Sequence, residues 1–221
     1  MLNYDTLKKN RRKFLALTGI TPKEFKLLLP AFVRASQRLH PSGLTRAGKP
    51  RQRRPGGGRK SVLQRPEQQL LFVLVDQKAY PLQVLIGEVF HLSQSRVNEW
   101  VHRLLPALQL ALDELGVMPA RNPRTFGRRE RQQPEPLELI IDGTERRRQR
   151  PKNPEKQAAH YSGKKKAHSD KNLVVVNAKT KRVGYLSKTY VGKTHDKAMA
   201  DREGIAYPPE ATLYKDSGFQ G

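Results

Sequence analysis

The 221-residue sequence predicts an α + α/β protein, an all-helical N-terminal domain followed by a mixed α/β domain, and three observations predict it. Apolar residues recur at helical spacing as far as Gly116. Beyond residue 137 the period shortens to that of strands. Between the two lies a polar, arginine-rich stretch punctuated by Pro119, Pro123, Pro134 and Pro136, the composition of a domain boundary.

Residues 1–40 read as N-terminal helices. Thr21-Pro22-Lys23-Glu24 is a capping box with proline at the first helical position, and Phe25, Leu28, Leu29 and Phe32 follow on one face. Pro30 is expected to kink or split that helix. Residues 41–64 turn rich in Gly, Pro and Arg, too polar to repay their ordering entropy by burial, and are expected to be a basic linker. The GGGRKS at 56–61 lacks both the residue order and the upstream strand of a phosphate-binding loop.

Residues 65–118 are expected to hold a helix-turn-helix domain. Pro66 opens a helix through Leu70, Leu71, Leu74 and Val75, although LLFVLV on its own also fits a buried strand. A helix over 81–90, a break at His91-Leu92 and Ser93 as cap to a helix from Gln94 have trihelical proportions. That last helix carries a stripe of Val97, Val101, Leu104, Leu108 and Leu112 with Trp100 beside it, and Gln94, Arg96, Asn98, Glu99, His102 and Arg103 point elsewhere. Pro106 should bend it and Gly116 end it. Residues 119–136 are expected to be a second linker, and 137–221 the α/β domain. Within it 137–143, 172–177, 182–190 and 211–216 read as strands, the middle two joined as a hairpin through 178–181. Thr194 caps a short helix that runs to about Asp201.

Charge narrows the function. With 43 Lys and Arg against 20 Asp and Glu, a formal +23, the chain implies a polyanionic partner, nucleic acid before a membrane surface. The absence of cysteine leaves only carboxylates and histidines for a metal, which points to hard cations. Apolar stretches such as 70–75 are too short to span a bilayer, and the N-terminus lacks a signal-peptide core, so a cytoplasmic, nucleoid-associated protein with no membrane partner is expected.

The acids carry the chemistry. Asp142 is expected to end one apolar strand and Asp216 another. Carboxylates brought together by adjacent strands repel unless a divalent cation lies between them, and Mg²⁺ suits such a site. In a two-metal arrangement the ions clamp the attacking and leaving oxygens of a phosphoryl displacement. The alternative is that both are turn formers, since Asp142 precedes Gly143 and Asp216 precedes Ser217-Gly218.

The segments IIDGTERRRQRP (140–151), HYSGKKKAHSDKNLVVVN (160–177), VGKTHDK (191–197) and LYKDSGFQG (213–221) resemble the catalytic domain of DDE-type transposases of insertion-sequence family five, and the resemblance extends over nearly the whole chain. It implies a helix-turn-helix domain at the N-terminal side and a ribonuclease-H-like α/β endonuclease domain after it. It also implies Asp142 and Asp216 as catalytic, metal-holding acids. The partners it implies are double-stranded DNA, as terminal inverted repeats and target, and a homo-oligomer bridging two ends. The family's third acid is a Glu on a helix well beyond the second Asp, whereas Glu203 and Glu210 precede Asp216 and the sequence stops at Gly221. The expectation is therefore a C-terminally shortened member, through decay, cutting or a frame completed by a downstream polypeptide. It would bind DNA, as a repressor for instance, and catalyse poorly or not at all alone.

Lys164, Lys165 and Lys166 are expected to face the DNA backbone, and Arg146 with Arg147 and Arg148 less securely, since cations beside an acid also simply neutralise it. Gln94, Ser95, Arg96 and Asn98, near the start of the second helix, are the residues placed to reach base edges. Trihelical units of this kind also serve in protein contacts. His195 and Asp196 are accessory candidates, although a cap and first-turn acid would explain them equally well. Trp100 reads as core.

Overall fold

The computed structural model describes residues 1–45, 48–52, 61–130 and 137–219. Parts of the expected first linker, 46–47 and 53–60, and the end of the second, 131–136, lie outside the described residues. The chain divides into two compact units, Met1–Val117 and Met118–Gly221.

The first unit is helical: α1 Tyr4–Leu7, α2 Arg11–Thr18, α3 Pro22–Leu39, α4 Pro66–Ala79, α5 Gln83–Phe90 and α6 Gln94–Glu114. Segments 1–40 and 65–118, separate in the sequence reading, share one core in which Phe14, Phe25 and Phe32 meet Leu70, Phe72, Phe90 and Leu104. Phe72 and Phe90 meet edge to face at 5.1 Å, and Phe14 and Phe25 at 5.4 Å. The helix reading of 65–75 holds, and its unbroken apolar run has a physical cause. Residues Leu70, Leu71, Phe72, Val73, Leu74 and Val75 are all buried, so α4 is enclosed all round and has no polar face to give it a period.

The capping box forms as expected, with the Glu24 amide donating to the Thr21 hydroxyl and the Thr21 amide donating to the Glu24 carboxylate, worth about 1 kcal/mol. Pro30, however, does not split α3. It lies on the exposed side with Lys26, while Phe25, Leu28, Ala31, Phe32 and Ala35 hold the helix to the core on both sides of it. The buried line of α6 is rotated from the expected stripe: Ala107 and Ala111 are fully buried with Val97, Leu104 and Leu108, whereas Val101 and Leu112 are half-buried. A Schellman motif ends α6, with Gly116 donating to Asp113 and Val117 to Leu112.

The second unit is built on one mixed sheet: β1 Glu138–Arg147, β2 Tyr161–Ser162, β3 Ala167–Asn177, β4 Val183–Leu186, β5 Tyr190–Val191 and β6 Thr212–Lys215. The strand order is β2-β3-β1-β6, with β4 and β5 also paired to β3. β1 runs antiparallel to β3 and parallel to β6. The helices are α7 Pro123–Glu130, α8 Pro154–His160 and α9 Asp196–Glu203, with a 3₁₀ turn at Ser217–Phe219. Leu139, Ile141, Leu173, Val175 and Tyr185 form the core side of the sheet.

Several expectations change here. The linker expected at 119–136 holds α7, whose Phe126 is buried against Tyr185 and Tyr207, because an apolar ring among arginines has a core to enter. β1 passes straight through Asp142-Gly143 instead of ending there, since its antiparallel ladder to β3 continues to Arg147. β3 begins at Ala167, five residues before the expected start. The expected strand 182–190 is divided, as Ser187 turns inward to accept a hydrogen bond from the Leu173 amide at 2.8 Å.

Candidate active site

Asp142 and Asp216 come together through strand pairing. β1 and β6 are parallel neighbours with Ile141 beside Lys215, and the next residues, Asp142 and Asp216, line one cleft. Leu139 and Ile141 face the core, and by alternation Ile140 and Asp142 face the other way. Both acids are exposed and line one open cleft of about 630 Å³ together with Glu138, Ile140, Tyr214 and Lys215. The turn-former explanation fails for Asp142, which sits within a strand, and remains open for Asp216, which immediately follows one.

Two exposed carboxylates, one in β1 and one directly after β6, are the donor chemistry a hard dication accepts. Mg²⁺ in particular takes one or two protein carboxylates and fills its octahedron with water and phosphate oxygens. Among the described residues no group of three His, Cys, Asp or Glu stands close enough to hold a metal ion. The Gly143 amide lies 2.7 Å from Asp142 Oδ1 and donates to it, which steadies one of the two oxygens.

Behind the acid face lies a polar network that the sequence reading missed. Glu145 is opposite Lys171 in the ladder and accepts a hydrogen bond from the Ser169 hydroxyl. Its burial acts to raise its pKa, but hydrogen bonds from Ser162 and Ser169 and the charges of Lys171 and Lys165 more than offset that and hold it below the ordinary glutamate range. Lys171, whose side chain is 11% exposed, donates to the Thr194 carbonyl at 3.1 Å and pairs with Asp196 at 3.4 Å. The signal for this pair was the strand alternation from Asp142, readable only once β1 is known to continue past Gly143.

The expected accessory residues separate. Asp196 opens α9, and its carboxylate packs against Gly143. His195, not Thr194, is the N-cap; it is exposed and makes no side-chain capping bond, because Thr194 is drawn into a turn with its amide donating to the Val191 carbonyl. Lys164, Lys165 and Lys166 are exposed at the tip of the β2–β3 hairpin, which hangs from Ser162 through the Lys165 amide at 3.2 Å. Arg146 donates to the buried Asn172 at 2.8 Å, and Arg148 is held by Asp170 at 3.0 Å, with His160 on the same carboxylate at 2.9 Å.

In the first unit α5, a three-residue turn and α6 follow one another. The turn is tight at Gly87, where a Cβ would lie 2.6 Å from the Leu92 carbonyl oxygen, so a side chain there would force α5 and the turn apart. Gln94, Ser95, Arg96 and Asn98 are all exposed at the start of α6, and Arg96 forms an ion pair with Glu99 at 2.8 Å. Ser93 is the N-cap residue, but its hydroxyl meets that of Ser95 and makes no capping bond.

No helix among the described residues is long and apolar enough to cross a membrane. No curated protein and no solved structure matches the chain. Residues 141–221, which contain Asp142, Asp196 and Asp216, match the family model of the DDE superfamily endonuclease, a similarity that supports a DDE transposase-like nuclease domain in this part of the chain, with DNA as its substrate.

Proposed function

We propose that this chain is the end-binding and acid-bearing part of a DNA transposase of insertion-sequence family five. The observation that carries the proposal is that Asp142 in β1 and Asp216 directly after its parallel neighbour β6 line one cleft, in the segment similar to the DDE superfamily endonuclease. A sheet with β1 between antiparallel β3 and parallel β6 supports reading the second unit as the front of a ribonuclease-H-like domain. The α5–turn–α6 segment is read as a helix-turn-helix, supported by the close approach at Gly87 and the exposed polar start of α6.

In this reading Asp142 and Asp216 hold Mg²⁺, which when bound neutralises charge on the phosphate and polarises the attacking water. The chain's own residues position the DNA: Lys164, Lys165, Lys166 and Arg146 contact phosphates, and Gln94, Ser95, Arg96 and Asn98 read base edges in the terminal inverted repeats. Water attacks a phosphodiester at the element end and displaces a 3′-hydroxyl, which then attacks a target phosphodiester and displaces a 3′-hydroxyl of the target strand in turn. Function as a dimer or larger assembly belongs to the same proposal.

Selection of bound duplexes from a random pool tests the recognition step. Enrichment of a sequence that also lies as an inverted repeat beside the coding region is the expected result, and Arg96→Ala relaxes the preference at about one base position, a loss of roughly 1–3 kcal/mol of discrimination. Equal retention of all sequences would reject end recognition.

A second reading, favoured by the formal charge of +23 and the exposed Lys164, Lys165 and Lys166, is a non-catalytic DNA-binding chain that occupies the ends as a repressor. In that case Asp142→Ala changes nothing beyond DNA affinity, and binding weakens steeply with salt through counterion release.

A further inference from the structure

Gly143 lies inside β1 and its φ is not positive, so no turn demands glycine there. The neighbour that demands it is Asp196. A Cβ on Gly143 would lie 2.6 Å from Asp196 Oδ1 and 2.8 Å from its carboxyl carbon, so the carboxylate occupies the space a side chain would need. The same carboxylate comes within 3.8 Å of a Cβ position on Gly218. Gly143 follows Asp142 directly, and Gly218 is two residues beyond Asp216. One side chain, held by Lys171 from β3 and carried by the first turn of α9, therefore lies against Gly143, on the face of β1 opposite Asp142, and close to Gly218.

We infer that Asp196, held by Lys171, is a positioning residue that sets the spacing of the Asp142 and Asp216 carboxylates by wedging between Gly143 and Gly218. The inference rests on the reading of the acid pair as a cation site. It adds that the pair's geometry is fixed from behind, through backbone contacts, by a carboxylate that belongs to no three-acid metal group among the described residues. Lys171 offsets the charge of Asp196 and keeps the wedge from turning toward solvent.

The test uses the full chain and Tb³⁺ as a hard-cation probe, with Mg²⁺ as competitor. Tyr214 lines the same cleft as both acids and sensitises the luminescence of bound Tb³⁺. Asp142→Asn combined with Asp216→Asn is expected to abolish the sensitised signal. Asp196→Ala is expected to weaken Tb³⁺ binding about tenfold, the range for a residue that orients ligands without touching the metal, and Asp196→Asn to weaken it less. Gly143→Ala should reproduce the Asp196→Ala loss in the presence of Asp196 and add nothing to it in its absence, because the methyl then enters the vacated space. Hydrogen exchange over β3 verifies folding in each variant, and Asp196→Asn keeps the side-chain shape should Asp196→Ala fail to fold. Unchanged Tb³⁺ affinity in folded Asp196→Asn and Gly143→Ala chains, with the signal still lost in the double acid variant, overturns the positioning role and leaves the cation site standing. A signal that survives the double acid variant overturns the cation site and this inference with it.

Discussion

The interior of the first unit is apolar from α1 to α6, with Thr18, Gln68 and Asp76 as the buried polar side chains among the described residues. The second unit has a smaller apolar core and shares its interior with Ser162, Ser169, Asn172 and Ser187. Area removed from water stabilises the first, which tolerates small shifts of register provided the ring contacts survive. In the second, hydrogen bonds between strands are directional, and losing one partner leaves the other buried and unsatisfied. The acid pair, which needs its carboxylates at a set spacing, lies in the unit whose interior is held by directional contacts.

The comparison breaks most readily at Phe72. Phe72→Ala removes a fully buried ring stacked edge-on against Phe90 and is expected to cost about 3–5 kcal/mol. Trp100 is the sole tryptophan and packs on that core, so its fluorescence follows the first unit, and the transition should move to markedly lower denaturant. Amide protection in β3 is expected to persist, and its loss alongside would show that the two interiors are not independently held.

Asn172→Leu probes the second interior with a change of similar volume. The Asn172 side-chain amide donates to the Ser187 carbonyl at 3.0 Å, and its oxygen accepts from Arg146. A loss of about 1–3 kcal/mol is expected, read as faster exchange across β3 and β4, even though leucine is the more hydrophobic side chain. A stabilised variant would mean that apolar packing governs this unit too.

A smaller effect separates the units by pH. The Tyr185 and Tyr190 hydroxyls both donate to Glu203, and burial first, then that carboxylate, pushes both phenols well above their ordinary value. A raised folded pKa gives stability that is complete below the ordinary tyrosine value of 10.0 and lost as pH rises past it toward the folded value. Glu145 acts in the opposite window: its lowered folded pKa gives stability present above its ordinary 4.5 and lost as acid carries the pH down through the folded value. Exchange protection in β3 and β4 should therefore fall at both extremes, and Tyr185→Phe with Tyr190→Phe should remove the alkaline part. The smallest effect is expected for Ser93→Ala, within about 0.5 kcal/mol by thermal melting, because Ser93 caps α6 by position without a capping bond.

How much was legible follows the same division. Helices α3, α5 and α6 could be placed from capping residues and apolar spacing, since each buries a face of its own, and α4, enclosed all round, from the proline at its start. The helix α8 was readable and missed, for Asn153-Pro154 supplies a cap that accepts from the Lys156 amide at 3.0 Å and a proline at the first position. Asp142 and Asp216 were found from their places at the ends of apolar runs, but Asp142 proved to lie within β1. The apolar run stops at Asp142 because one face of the sheet opens into the cleft there, while the ladder to β3 carries on. Glu145, Lys171 and Asp196 were not connected, because their contacts run across strands and from α9, and no local pattern records a cross-strand neighbour.

By itself the sequence determined the order of helical and strand-like segments, the basic character that asks for a polyanionic partner, and the two acids, because propensity, capping and charge are local properties. Tertiary structure decided that 1–40 and 65–118 enclose one core, that Phe126 brings the arginine-rich stretch into the second unit, and that Asp142 and Asp216 line one cleft. It alone explains Gly143, whose missing side chain leaves room for Asp196. These are consequences of which surfaces meet, and contacts between distant residues are settled by packing the whole unit at once.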